Sequence, residues 1–231
     1  MEILGVKQTL KEQIINPIRV YNKRKIFCIG RNKTGTTSLA AEFRKHGFIV
    51  GNQRRAEKMV DHYVEKEFDP IIRYCRSAQV FQDAPFSWPE TYKYLDAAYP
   101  DSLFILTVRD SPEQWYRSIT RFHAKLFGKG EIPTAKDLKK AKYIRPGWMW
   151  KVNRAHYKTP EDDPYNKEIL LQQYLKHNRE VKNHFGDRDN FMVLNLKKEN
   201  AYSRFCRFIG VKKTRDNFPW KNKTTEVEVR N

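Results

Sequence analysis

A glycine-marked turn between an apolar strand and a helix start is the first place where this chain could do chemistry. The stretch KIFCIGRNKTGTTSL, residues 25–39, spaces Gly30 and Gly35 as nucleotide-triphosphate loops do. Thr36 occupies the position where those loops carry a lysine, and Lys33 lies inside the loop instead. The backbone N–H groups of such a turn form a nest for anions at a helix N-terminus. The sequence therefore predicts an anion-binding loop whose cation lies near the bridge between two anionic groups.

This loop resembles the 5′-phosphosulfate loop of the sulfotransferases, which bind 3′-phosphoadenosine 5′-phosphosulfate (PAPS) as donor and release 3′-phosphoadenosine 5′-phosphate (PAP). In that family the loop lysine contacts the oxygen that bridges phosphate and sulfate, which implies a catalytic role for Lys33. Positioning and charge stabilisation dominate such transfers, so a fixed ammonium could lower the barrier without a metal ion. The resemblance implies that the donor is contacted by a run of loop residues: Arg31, Asn32, Lys33, Thr34, Gly35, Thr36 and Thr37.

A second signature follows the strongest predicted strand, in the segment FILTVRDSPEQWYRS. In the family, an arginine at the end of a strand and a serine farther along the next helix hold the donor's 3′-phosphate. The matching residues are Arg109 and Ser118, with Ser111 as an alternative because the spacing to Ser118 is one residue longer than usual. The planar guanidinium suits a phosphate because it can donate two parallel hydrogen bonds. An ordinary ion pair between Arg109 and Asp110 is the competing interpretation.

The carboxyl-terminal part is similar to the same half of the bacterial-type P-loop sulfotransferases, which end in a comparable Phe-Pro-x-x-Asn-Lys stretch. The similarity covers residues 24 to about 225 and includes the segments FMVLNLKKENAYSRFCRFIGV and FPWKNKT. Lys221 and Lys223 are expected either to close over the adenosine phosphate or to remain solvated.

An acceptor hydroxyl needs a base within hydrogen-bond reach. Asp83, in FQDAP, stands where the cytosolic sulfotransferases of animals carry a histidine, and it could equally cap the turn before Trp88. Burial beneath a lid would raise the pKa of this carboxyl group and make it a better base. His123, on the same predicted helix as Ser118, is the other base candidate.

Composition limits the remaining functional classes. The 231 residues carry 45 Lys and Arg against 27 Asp and Glu, so the net charge is +18 and anionic partners are favoured. The six histidines show no metal-binding spacing, which predicts no metal site. A magnesium-dependent P-loop kinase or NTPase would carry the missing Gly-Lys-Ser/Thr triplet. A nucleic-acid-binding protein would cluster its basic residues with aromatics, whereas here they are dispersed. The acceptor is left open among a glycan, a lipid and a small metabolite.

The three cysteines are far apart, and neither a secretory signal nor an apolar stretch long enough to span a bilayer is found in the sequence. These features predict a cytoplasmic protein.

Alternating strands and helices must position these side chains. The pattern predicts an α/β fold in which helices flank both faces of a central parallel sheet, and the resemblance implies that this fold is of the P-loop sulfotransferase type. We expect one domain over residues 1–231, with a lid-like insert at 128–163 over the acceptor site. The aromatic residues of this insert could stack on an acceptor or form a small core of their own. Strands are expected within 26–29, 47–50, 78–85, 102–110 and 191–196, and helices within 1–24, 36–47, 54–76, 88–99, 111–127, 164–185 and 201–208.

Overall fold

The computed structural model describes residues 11–219 and contains a sheet of four parallel strands in the order β2-β1-β3-β4. The strands are β1 (Ile26–Cys28), β2 (Val80–Gln82), β3 (Leu103–Thr107) and β4 (Phe191–Leu194). Every residue of β1 and β3 is buried, as expected for central strands of a parallel sheet that is covered on both faces.

Eleven α-helices are found within the described residues, and a π-helical turn at Lys11–Ile15 precedes the first. Their bounds are α1 Asn16–Val20, α2 Thr36–Lys45, α3 Gln53–Glu57, α4 Val60–Val64, α5 Phe68–Tyr74, α6 Thr91–Ala98, α7 Pro112–Phe127, α8 Ala135–Lys140, α9 Trp148–His156, α10 Lys167–Phe185 and α11 Ala201–Phe208. A short 3₁₀-helix, Cys75–Ser77, follows α5. None of the helices described is long and apolar enough to cross a membrane.

The sheet separates two hydrophobic cores. On one face Phe27 of β1 stacks against Phe81 and Phe104, with ring centroids 5.7 and 5.4 Å apart. On the other face the strands pack against α2 and α11, where Phe43 and Phe205 meet edge to face at 5.1 Å. Truncating one of these rings to alanine would cost about 3–5 kcal/mol of stability. The expected parallel sheet with helices on both faces is therefore confirmed.

Two expectations about the region before β2 are wrong. The segment at 47–50 is not a strand, because only Val50 forms an isolated bridge, to Val80, before Asn52 begins α3 as its N-cap. The charged stretch at 54–76 is not one helix but three. Lys66, at φ +62°, interrupts it after α4, and Pro70 is accommodated in the first turn of α5.

The predicted insert holds two helices, α8 and α9, and packs onto the main core. Leu138 is fully buried and Trp148 nearly so, both within the core cluster that contains Phe27. The indole Nε1 of Trp148 donates to the Glu57 carbonyl oxygen at 2.9 Å. Arg145 pairs with Asp61 at 2.7 Å.

Candidate active site

Three neighbouring strands present the predicted site residues at their carboxyl ends. Lys33 follows β1, Asp83 follows β2 and Arg109 follows β3. Since β1 lies between the other two strands, Lys33 lies between Asp83 and Arg109. This edge is the usual position of ligand sites in open α/β sheets.

The loop after β1 is held against β3 by close backbone packing. A Cβ atom at Gly30 would lie 2.2 Å from the Thr107 hydroxyl oxygen and 2.3 Å from its carbonyl oxygen, so only glycine fits. The Thr34 and Thr107 hydroxyls are hydrogen-bonded at 2.6 Å. Gly35 begins α2 with φ +107°, a conformation that glycine adopts without strain. The loop is thus fixed in shape before any ligand binds.

Arg109 ties the second signature to the first. Its Nε donates to the Lys33 carbonyl oxygen at 2.6 Å, and its backbone N–H donates to the Tyr174 hydroxyl at 3.0 Å. Trp115, on the following helix, donates from Nε1 to the Asn32 carbonyl oxygen at 3.0 Å. The two sequence signatures therefore form one structural unit.

A cavity of about 650 Å³ opens at this edge of the sheet, and α7 runs along it. The cavity-lining residues of this helix extend from Gln114 to Phe127, which at 1.5 Å per residue is a length of about 20 Å. Ser118 lies on the same wall. The described cavity lining includes most of the predicted donor contacts: Asn32, Lys33, Gly35, Thr36, Thr37, Arg109 and Ser118.

Other predicted donor contacts lie elsewhere. Ser111 caps α7, where its hydroxyl accepts from the Gln114 N–H at 3.1 Å, so it does not line the cavity. Thr34 is buried beneath the loop. Arg31 is only 1% exposed and lies over the Tyr157 ring, 5.5 Å from its centroid, with no hydrogen-bond partner for its guanidinium nitrogens within residues 11–219. Lys221 and Lys223 lie outside the described residues.

The ammonium group of Lys33 loses its proton more readily than that of an exposed lysine. Its Nζ lies 3.7 Å from the centroid of the Phe122 ring, a cation–π contact. Burial and, to a smaller extent, the charge of Arg109 lower the pKa of Lys33 to about 8, while the charge of Asp83 acts against both. An anion placed beside this ammonium would relieve both unfavourable effects.

Asp83 has the properties of a base that operates near neutral pH. It is partly buried in the cavity wall and adopts φ +60°. Burial raises the pKa of this carboxyl group to about 6, while a hydrogen bond from the Ala84 N–H, 3.1 Å from Oδ1, and the charge of Lys33 act against that rise. Asp83 therefore both contacts the turn before Trp88 and lines the cavity, and its role as a base stays a prediction.

His123 also lines the cavity but is a poorer base. Its Nδ1 is hydrogen-bonded to the Tyr165 hydroxyl at 2.7 Å. Burial, followed by the charge of Lys33, lowers the pKa of this imidazole to about 3. A group with so low a pKa draws a proton weakly at neutral pH.

Glu57, at the end of α3, is a cavity residue that the sequence did not identify. It is 8% exposed, accepts from the Tyr143 hydroxyl at 3.2 Å and pairs with Arg54 at 3.6 Å. Burial raises the pKa of Glu57 to about 7, and Asp83 contributes to the rise. In the sequence Glu57 is one charge among many in a helical stretch, so only tertiary packing shows its position.

The aromatic residues of the insert divide between two roles. Tyr143, Trp148 and Tyr157 line the cavity and also pack on the main core. Trp150 lies instead against the cations of Lys139 and Arg154, 4.6 and 4.5 Å from its ring centroid. Stacking on an acceptor stays a prediction for the first three.

One group of possible metal ligands lies outside the cavity in the described structure. The ligand atoms of His62, Glu65 and Glu67 fall within 4.8 Å of one another on the surface. His62 and Glu67 already pair at 2.9 Å, and such exposed pairs are common without a metal ion.

A family model described as a sulfotransferase domain matches residues 25–227, a range that includes both signatures and every cavity wall described above. No curated protein matches the chain.

Proposed function

Because the chain belongs to the sulfotransferase family, we propose that it transfers a sulfuryl group from PAPS to a hydroxyl or amine of an acceptor. The observation that carries this proposal is the position of Lys33 in one cavity between Arg109 and Asp83. These three side chains supply a cation for the leaving group, an anchor for the nucleotide and a base for the acceptor.

In this proposal the donor lies along the loop and the first half of α7. The backbone N–H groups at the start of α2 and the hydroxyls of Thr36 and Thr37 bind the 5′-phosphosulfate. Arg109 and Ser118 bind the 3′-phosphate. The preformed loop favours binding because little backbone freedom is lost when the donor arrives.

The transfer forms and breaks one bond at sulfur. The acceptor oxygen attacks sulfur as the bond from sulfur to the bridging phosphate oxygen breaks. The hydroxyl proton passes to the Asp83 carboxylate, and the electron pair of the broken bond stays on the 5′-phosphate of PAP. The Lys33 ammonium stabilises this developing charge, and it does so in a partly dehydrated site where such a charge is most effective.

A thermal-shift comparison tests the donor. We expect PAP to raise the melting temperature without magnesium, and ATP to do so less whether or not magnesium is present. The charge-removing variant Lys33→Met should lose most of the PAP shift. Lys176→Met is the matched control, since this exposed lysine lies on α10, where it pairs with Glu180 at 3.7 Å. Stabilisation by ATP that requires magnesium, with no response to PAP, would instead indicate a kinase or NTPase.

A further inference from the structure

The two halves of the cavity differ in charge. The half along the loop and the first turns of α7 carries the cations Lys33, Arg109, Arg117, Arg121 and Lys197. Beyond Phe122, which is about 6 Å farther along α7 than Ser118, the charged residues of the described lining are the carboxylates of Asp83 and Glu57. The charged side chains that line the acceptor half are therefore acidic, and the buried guanidinium of Arg31 lies behind this wall, over the Tyr157 ring.

Aromatic and apolar side chains form much of that half, together with the polar side chains of His123, Asn153 and His156. Trp88, Phe127, Tyr143, Trp148, Met149 and Val152 line it, and they come from α7, α9 and the segments before α6 and α9. Faces of Trp and Tyr attract cations as well as apolar groups. The surroundings favour a ligand with an apolar body.

Glu57 already has a counterion, but an incomplete one. Arg54 approaches from outside at 3.6 Å, and its side chain is 53% exposed. Its guanidinium lies over the Tyr143 ring, 4.6 Å from the centroid, and donates to the Tyr143 carbonyl oxygen. Part of the Arg54 charge therefore faces solvent and a neutral carbonyl, so Arg54 offsets the charge of Glu57 only in part.

The carboxylates of Asp83 and Glu57 line the same cavity and repel each other when both are ionised. The raised pKa values of Asp83 and Glu57 reflect burial, and for Glu57 also the charge of Asp83. A cation that enters this part of the cavity would lower the free energy of both ionised carboxylates. An anionic acceptor would instead add a third negative charge.

Building on the function proposed above, we infer that the acceptor is a cationic amphiphile with an apolar or aromatic body, whose ammonium faces Glu57 and whose hydroxyl reaches Asp83 and Lys33. An amine held as ammonium keeps its proton and has no free electron pair. The hydroxyl is therefore the group that is sulfated. This assignment excludes acidic glycans and other polyanions as acceptors.

Three phenols of matched shape test the inference: tyramine, 4-ethylphenol and 3-(4-hydroxyphenyl)propionate. Each is titrated by calorimetry into the full chain saturated with PAP. Tyramine should bind at least about tenfold more tightly than 4-ethylphenol, the ratio that a one-unit pKa change in the paired carboxyl would produce. The propionate should bind most weakly of the three.

The variant Glu57→Gln should lose most of the preference for tyramine, because glutamine can still accept from Tyr143 but carries no charge. Glu180→Gln, an exposed change on α10, is the control and should keep the preference. Retained stabilisation by PAP shows that each variant is folded and that the donor site is intact. Equal binding of the three phenols, or no binding of tyramine, in protein that PAP stabilises overturns this inference alone. Loss of the PAP response in the unmodified protein overturns the proposed function instead.

Discussion

Replacing Asp83 with asparagine tests the proposed base directly. Asparagine keeps the oxygen that accepts from the Ala84 N–H at 3.1 Å, so the turn after β2 should fold as before. It removes the only proton-accepting function of this side chain. Loss of a general base lowers turnover by about 10²–10⁴-fold, and we expect the change in kcat to fall in this range.

The pH profile distinguishes this role from a structural one. With a pKa of about 6, Asp83 is about 90% ionised at pH 7, so kcat/KM should rise with pH through about 6. Lys33 must keep its proton, and its pKa of about 8 predicts a fall in kcat/KM through that pH. In Asp83→Asn the acid limb should vanish. The alkaline limb should move to lower pH, because the carboxylate no longer supports the charge of Lys33.

The assay is PAP release from PAPS with the uncharged 4-ethylphenol as acceptor, measured from pH 5 to 9, so that pairing of an ammonium with Glu57 does not add a pH dependence of its own. Asp187→Asn is the control, since this residue is exposed in the loop before β4 and lies outside the cavity. An acid limb that persists near pH 6 in Asp83→Asn would refute the assignment of the base. A decrease in turnover of less than about tenfold would do the same.

Three further outcomes follow from the structure. Lys33→Met should lower kcat by about 10²–10³-fold in the same assay, whereas Lys176→Met should match the unmodified protein. Gly30→Ala should lower the melting temperature by several degrees, because the new methyl group would overlap Thr107 and such overpacking costs about 1–3 kcal/mol of stability. An unchanged melting temperature would contradict the close packing of Gly30 against Thr107. Asp83→Asn should raise the melting temperature at pH 7.5 but not at pH 4. A carboxyl group whose pKa is raised on folding destabilises the folded state only at a pH where it is ionised. Equal shifts of the melting temperature at both pH values would argue against a buried charge at Asp83.

Local patterns predicted the turn after β1 and the start of α7. The spacing of Gly30 and Gly35, and the Ser-Pro pair before α7, depend on backbone rules that act within a few residues. The loop after β1 and Arg109 after β3 lie close together, because the carboxyl ends of adjacent parallel strands lie at the same edge of the sheet. Such proximity follows once the strand order is known.

Long-range packing was less predictable. Glu57 reaches the cavity because α8 and α9 press Tyr143 and Trp148 onto α3, and no periodic pattern encodes that contact. The segment at 47–50 does not form the expected strand, because it pairs with β2 through one isolated bridge and not through a continuous ladder of hydrogen bonds. An apolar run alone does not distinguish these outcomes.

In the proposed arrangement, the helix α7 fixes the separation between nucleotide and acceptor. Because successive residues differ by about 100° around a helix axis, one inserted residue would rotate Phe122 and everything after it off the wall that holds Ser118. New acceptors can therefore be accommodated by exchanging side chains along α7 but not by lengthening it, while changes in length are left to the loops of the 128–163 insert.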